Sequence, residues 1–157
     1  MPELVYLYAE DVDVDALLVS REMARHPDSR LLRVNDGQEA IDYLLGTTRY
    51  EDRKRFPLPN IILLDVKMPR MNGFDFLQWR RAEAPPDLRV IPVIMFSSSN
   101  IQDDVWRAYQ LGANRYMVKA GDLDTLGKQL AAMCENWGKY TELAQRNARP
   151  RWFPPEL

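Results

Sequence analysis

The chain has 157 residues, 46% hydrophobic and 28% charged, enough for one domain with a substantial core. Its 21 basic and 23 acidic residues give a formal net charge of −2, which argues against direct nucleic-acid binding through bulk electrostatics. The single cysteine, Cys134, excludes an intramolecular disulfide and a cysteine-based zinc site; with neither a signal peptide nor a membrane span in the sequence, a cytoplasmic protein is expected.

Leu4 to Ala9 is a short apolar run with two tyrosines and reads as a first strand, ending in Glu10-Asp11. Val14 to Arg25 reads as a helix closed by His26-Pro27, and His26 as a surface residue. Leu31 to Val34 is a second strand. Asn35-Asp36-Gly37 turns into a helix carrying Ala40, Ile41, Leu44 and Leu45, stopped by Gly46. Thr47 to Asn60 is polar and basic, with Pro57 and Pro59, and reads as a surface loop containing at most a helical turn.

Ile61 to Asp65 is the third strand: four apolar residues deliver one acid to a loop forced by Pro69 and Asn72-Gly73. Phe74 to Ala84 is a helix ended by Pro85-Pro86. Val90 to Phe96 is the fourth strand, and Ser97-Ser98-Ser99-Asn100 is expected to cap a helix running to Leu111-Gly112. Trp106 is expected to pack. Tyr116-Met117-Val118 is a fifth strand. A last helix, capped by Asp122 or Asp124, carries an apolar stripe of Leu123, Leu126, Leu130, Met133 and Trp137.

Five alternations of strand and helix imply an α/β fold with a doubly wound parallel sheet, whose working site lies at the carboxyl ends of the strands. Glu10, Asp11, Asp65, Ser97 and Lys119 fall at those ends. Three carboxylates together need a cation, and oxygen donors suit Mg2+, which accepts phosphate oxygens. A lysine and a hydroxyl at the same edge can hold a phosphoryl group, and Asp65 is the central candidate acceptor.

These residues carry a family resemblance. Glu10-Asp11, Leu63-Leu64-Asp65 with Met68-Pro69 and Asn72-Gly73, Pro92 to Ser97, Gly112-Ala113 and Tyr116-Met117-Val118-Lys119 together resemble a response-regulator receiver domain from about Leu4 to Trp137. The resemblance implies a flavodoxin-like, five-stranded sheet of order 2-1-3-4-5. It implies a receiver over residues 1–140 and a tail over 141–157. It also implies that Asp65 takes a phosphoryl group from a sensor histidine kinase, so that the chain is a signalling switch rather than an enzyme with turnover. Glu10, Asp11, Asp65 and the backbone carbonyl of Lys67 would organise Mg2+. Ser97 would bond the phosphate, Lys119 would pair with it, and Tyr116 matches the aromatic that switches with Ser97.

The long basic segment Thr48 to Asn60, the serine run and the extended last helix resemble regulators paired with phytochrome-type kinases. Output is expected by protein contact or onward phosphotransfer, and the last helix suggests a homodimer. One departure stands out: the family has proline after the lysine, whereas Lys119 here precedes Ala120-Gly121. A cis bond without proline costs roughly 2.5–4 kcal/mol, leaving either a trans peptide with a rearranged loop or a strained cis one.

Two other readings compete. Asp11, Asp13, Asp15 and Glu22 imitate a calcium loop, but Ala16 stands where that loop needs glycine, and Asp13 and Asp15 fit better as acids of a helix first turn. Asp11-x-Asp13 with a serine and a lysine also fits, loosely, a phosphatase using an aspartyl nucleophile. That reading leaves the Asp65 loop without a role.

Overall fold

The computed structural model describes residues 3–137. The expected tail over 141–157 and the receiver's last residues, 138–140, lie outside the described residues. The strands are β1 (Leu4–Ala9), β2 (Ser29–Val34), β3 (Ile61–Leu64), β4 (Val93–Ser97) and β5 (Arg115–Val118). The helices are α1 (Asp13–Met23), α2 (Gly37–Leu45), α3 (Gly73–Ala82), α4 (Pro86–Arg89), α5 (Gln102–Gln110) and α6 (Leu123–Glu135), with a 3-10 turn at Thr48–Tyr50.

All four strand pairs are parallel, in the order β2-β1-β3-β4-β5. The near-continuous apolar strands follow from burial on both faces. Leu7, Ile62, Leu64 and Met95 meet Ile41 and Leu44 of α2, Leu77 of α3 and Ala108 of α5. The alternate set, Tyr6, Tyr8, Leu63 and Phe96, meets Val19 of α1 and Leu126 and Leu130 of α6. Each such fully buried large side chain stabilises the fold by roughly 1.5–3 kcal/mol.

Local chemistry sets the helix ends. Asp36 caps α2 by accepting from the Glu39 amide at 2.9 Å, and Gly46 ends it with φ of +68°. Asn72 and Asp75 form a reciprocal capping box at α3. Asp122, of the two candidates, caps α6 through the Thr125 amide at 2.8 Å.

Several expectations are corrected. The serine run does not cap α5: Ile101 stands at its N-cap without a side-chain bond, and Ser97 ends β4 instead. Strand β4 starts at Val93, because Pro86 opens α4 and the buried Arg80 guanidinium claims the Arg89 and Ile91 carbonyls at 2.9 and 2.8 Å. Burial lowers the Arg80 pKa to about 10, and its two terminal nitrogens donate to backbone carbonyls rather than to an acid. Trp106 does not pack; it is 61% exposed on the outer face of α5. In the α6 stripe Leu126, Leu130 and Met133 are buried, whereas Leu123 and Trp137 stand at its exposed ends.

Gly73 shows how the β3–α3 loop is fitted. A Cβ there would fall against the Asp65 carbonyl oxygen and within 2.9 Å of Met95 Cε. Gly73→Ala is therefore expected to lower stability by about 2 kcal/mol through overpacking, seen as a lower midpoint in thermal unfolding followed by circular dichroism.

Candidate functional site

The sheet order reverses between β1 and β3: β1 continues to β2 on one side and meets β3 on the other. The register pairs Ala9 with Leu64, so the next residues, Glu10 and Asp65, emerge side by side. Asp65 is tied in place by its amide to the Ala9 carbonyl at 3.1 Å, and its Oδ1 accepts from the Val66 amide at 2.7 Å. Ser97 ends β4, and the Lys119 amide donates to its carbonyl at 2.8 Å. The topology thus brings Glu10, Asp65, Ser97 and Lys119 to one edge.

Their side chains converge. Lys119 Nζ lies 2.7 Å from Glu10 Oε2, 3.3 Å from Asp65 Oδ2 and 3.2 Å from Asp15 Oδ2, with only 8% of its side chain exposed. Carboxylate oxygens of Glu10, Asp11 and Asp65 lie within 4.8 Å of one another; Glu10 and Asp65 are buried and Asp11 is exposed. Three carboxylates therefore contact one ammonium, and a fourth, Asp11, lies beside two of them.

The electrostatics follow from burial and crowding. Burial, together with its hydrogen bond to Asp65, raises the Glu10 carboxyl well above the usual carboxylate range. Burial also opposes the charge on Asp65, but hydrogen bonding with Glu10, the Lys119 ammonium, the Ser97 hydroxyl and the Val66 amide outweigh it and hold Asp65 below its ordinary value. For Lys119 the desolvation is likewise outweighed by the charges and hydrogen bonds around it, and its pKa is raised. Between these two buried acids, the surroundings thus favour the charge on Asp65 and disfavour it on Glu10.

A hard divalent cation fits this donor set. All the clustered side-chain donors are carboxylate oxygens, and a single lysine leaves the cluster with excess negative charge. A cavity of about 400 Å3 opens over the cluster, lined by Asp11, Asp65, Lys67, Ser97 and Ser99. Lys67 is exposed on the β3–α3 loop and also lines a neighbouring cavity of about 520 Å3 with Arg107.

Tyr116 is partly buried on β5, and its hydroxyl donates to the Ser99 carbonyl at 2.8 Å, beside the loop that follows Ser97. No peptide among the described residues is cis, so the Lys119-Ala120 bond is trans and the ammonium still reaches the acids.

Sequence reasoning missed Asp15. Its place in the first turn of α1 makes it read as a dipole-complementing acid, yet it contacts Lys119. The competing constellations disperse: Asp13 pairs with Arg33 at 2.8 Å, and Glu22 is buried beside Gly127, far along α1. Neither a calcium loop nor an Asp11-Asp13 nucleophile pair is assembled. Another buried acid, Asp36, anchors the other end of the Asp65 loop, accepting from Arg70 Nε at 2.8 Å while capping α2. Arg70 takes φ of +60° to make that contact.

Residues 8–131 match the family model described as the response regulator receiver domain. The chain is similar to response regulator Rcp1 of Synechocystis sp., with 33% identity over 137 residues, covering 87% of this chain and 90% of that one. Rcp1 in its Mn2+-bound form superposes with a TM-score of 0.74 at 32% identity, covering 85% of this chain and 94% of that one. Response regulator RPA3017 in red light signaling of R. palustris gives 0.78 at 32% identity, with 87% and 94% covered. The phosphorylated cyanobacterial phytochrome response regulator RcpA gives 0.77 at 29% identity, with 86% and 94% covered. The site at the switch point and these likenesses agree: the chain belongs to the response regulator receiver domain family and is a two-component response regulator related to phytochrome response regulators.

Proposed function

We propose that Asp65 is the phosphoryl acceptor, loaded by a sensor histidine kinase. The observation that carries this reading is the buried Asp65 carboxylate at the switch point, with the Lys119 ammonium 3.3 Å from its Oδ2. An Asp65 oxygen forms the new P–O bond as the P–N bond of a phosphohistidine breaks, and the departing imidazole nitrogen keeps the electron pair. Lys119 and the Ser97 hydroxyl hold the phosphoryl oxygens.

Glu10, Asp11, Asp65 and the Lys67 carbonyl would hold Mg2+, which supplies charge neutralisation between the carboxylate and the incoming phosphoryl group. Val12 and Ile101, both exposed and apolar, line the mouth of the cavity, which favours a protein as the phosphoryl donor. The likeness to the cyanobacterial phytochrome response regulator RcpA supports a phytochrome-type kinase as that donor. Tyr116, bonded to the Ser99 carbonyl, is placed to respond when Ser97 shifts toward a phosphoryl group. The exposed Leu123 of α6 and Trp137 just past its end favour a homodimer.

Beryllium fluoride with Mg2+ tests the reading. Calorimetric titration is expected to give one site per chain that needs both components, and size-exclusion chromatography of the same samples reports assembly. No binding, or binding indifferent to Mg2+, would contradict the assignment.

Lys67 stands two residues past Asp65 and overhangs the cavity a hydrolytic water must enter. Its ammonium shields the phosphoryl group, so Lys67→Asn is expected to shorten the phosphoprotein lifetime several-fold, roughly the effect of altering one positioned charge. The decay is read by intact mass after donor removal, and an unchanged lifetime would remove Lys67 from this role.

A further inference from the structure

The loop after Lys119 is held by a side chain from α6. Strand β5 is an edge strand, and on its inner side the Lys119 amide is bonded to Ser97. On the other side of the loop Gln129 acts as a two-point clasp: its Nε2 donates to the Val118 carbonyl at 2.6 Å, and its Oε1 accepts from the Ala120 amide at 3.0 Å. The two peptide groups that bracket Lys119 are therefore both tied to one amide, in the donor–acceptor pattern of a neighbouring strand. Just beyond, the chain has little to rest on: a Cβ added at Gly121 would meet nothing within 4 Å. Gln129 sits on a firm base, since the adjacent Leu126 and Leu130 are buried and α6 is capped by Asp122.

A proline after the lysine would have no N–H for Gln129 to receive. Ala120 supplies that donor through a trans peptide. We infer that Gln129 is a positioning residue for phosphoryl transfer, fixing the Lys119 backbone so that its ammonium reaches the Asp65 oxygen. It touches neither the phosphoryl group nor the acids and acts only through Lys119. This inference rests on the reading of Asp65 as phosphoryl acceptor.

The test uses acetyl phosphate and Mg2+ with four forms of the full chain: wild type, Gln129→Leu, Lys119→Ala and the double variant. Leucine keeps helix propensity and the packed stem of the side chain while removing both hydrogen bonds. The initial rate of phosphoryl incorporation, read by intact mass, is expected to fall about tenfold in Gln129→Leu, the scale of a misplaced catalytic group. In the Lys119→Ala background the same substitution is expected to change nothing further, which is how coupling through one residue appears in a double-mutant cycle. An unchanged rate in Gln129→Leu, or equal slowing in both backgrounds, would overturn the inference while leaving the acceptor reading intact. Absence of incorporation by the wild type would overturn both.

Discussion

Asp65→Asn is expected to abolish phosphoryl incorporation, with a rate at least about a thousandfold below wild type, because a neutral amide is not a competent nucleophile. The substitution is nearly isosteric, and the bond from the Val66 amide to Oδ1 can be kept by the amide oxygen. Lys119 retains its 2.7 Å contact to Glu10 and its 3.2 Å contact to Asp15. The fold should therefore survive. Removing one negative charge also relieves Glu10, whose carboxyl is pushed up by burial and by Asp65 beside it, so the thermal midpoint should not fall. Loss of incorporation with an unchanged or raised midpoint would separate a chemical role from a structural one. Residual incorporation close to wild type would move the acceptor elsewhere.

Lys119→Ala is expected to show the second large effect, this time on stability without divalent cation. The ammonium is the only cation paired with the buried Glu10 and Asp65 carboxylates among the described residues. Removing one partner from a buried ion cluster leaves uncompensated charge and costs about 3 kcal/mol. Proton uptake by Glu10 offsets part of this, since burial already favours its neutral form. Urea unfolding should show the loss in metal-free buffer and a recovery of most of it in millimolar Mg2+, because a ligand that binds only the folded state adds its binding free energy. Equal stability to wild type in metal-free buffer would mean that the acids need no cation, against the electrostatic argument made for the site.

Much of this was legible in the sequence because one physical pattern dominates. Ile61 to Leu64 is apolar throughout since both faces of β3 are covered, and a lone acid at its end stands out. Glu10-Asp11, Ser97 and Lys119 are legible for the same reason, as polar residues where apolar strands stop. What escaped depends on contacts between elements. Asp15 reads as an ordinary first-turn acid until β5 brings Lys119 over α1. Gln129 is one polar residue on an amphipathic helix, and only the loop geometry gives its amide two partners.

Arg80 shows a further limit. A basic residue on a helix reads as solvent-facing, yet it is 7% exposed and gathers backbone carbonyls around α4, and this displaced the expected start of β4. Ser99 reads as a cap but spends its hydroxyl on the Asp104 carboxylate at 2.7 Å, inside the turn it was expected to start. Trp106 is exposed although tryptophan usually packs, and nothing within α5 alone distinguishes the two outcomes.

The central claim is that phosphoryl transfer ends on Asp65. Its most direct test is incubation of the wild-type chain with acetyl phosphate and Mg2+, followed by intact-mass measurement and peptide mapping after borohydride reduction of the acyl phosphate. The expected result is one phosphoryl group per chain, absent without Mg2+, with the reduced residue at position 65. No incorporation, or a reduced residue at Asp11, Asp13 or another acid, would contradict it.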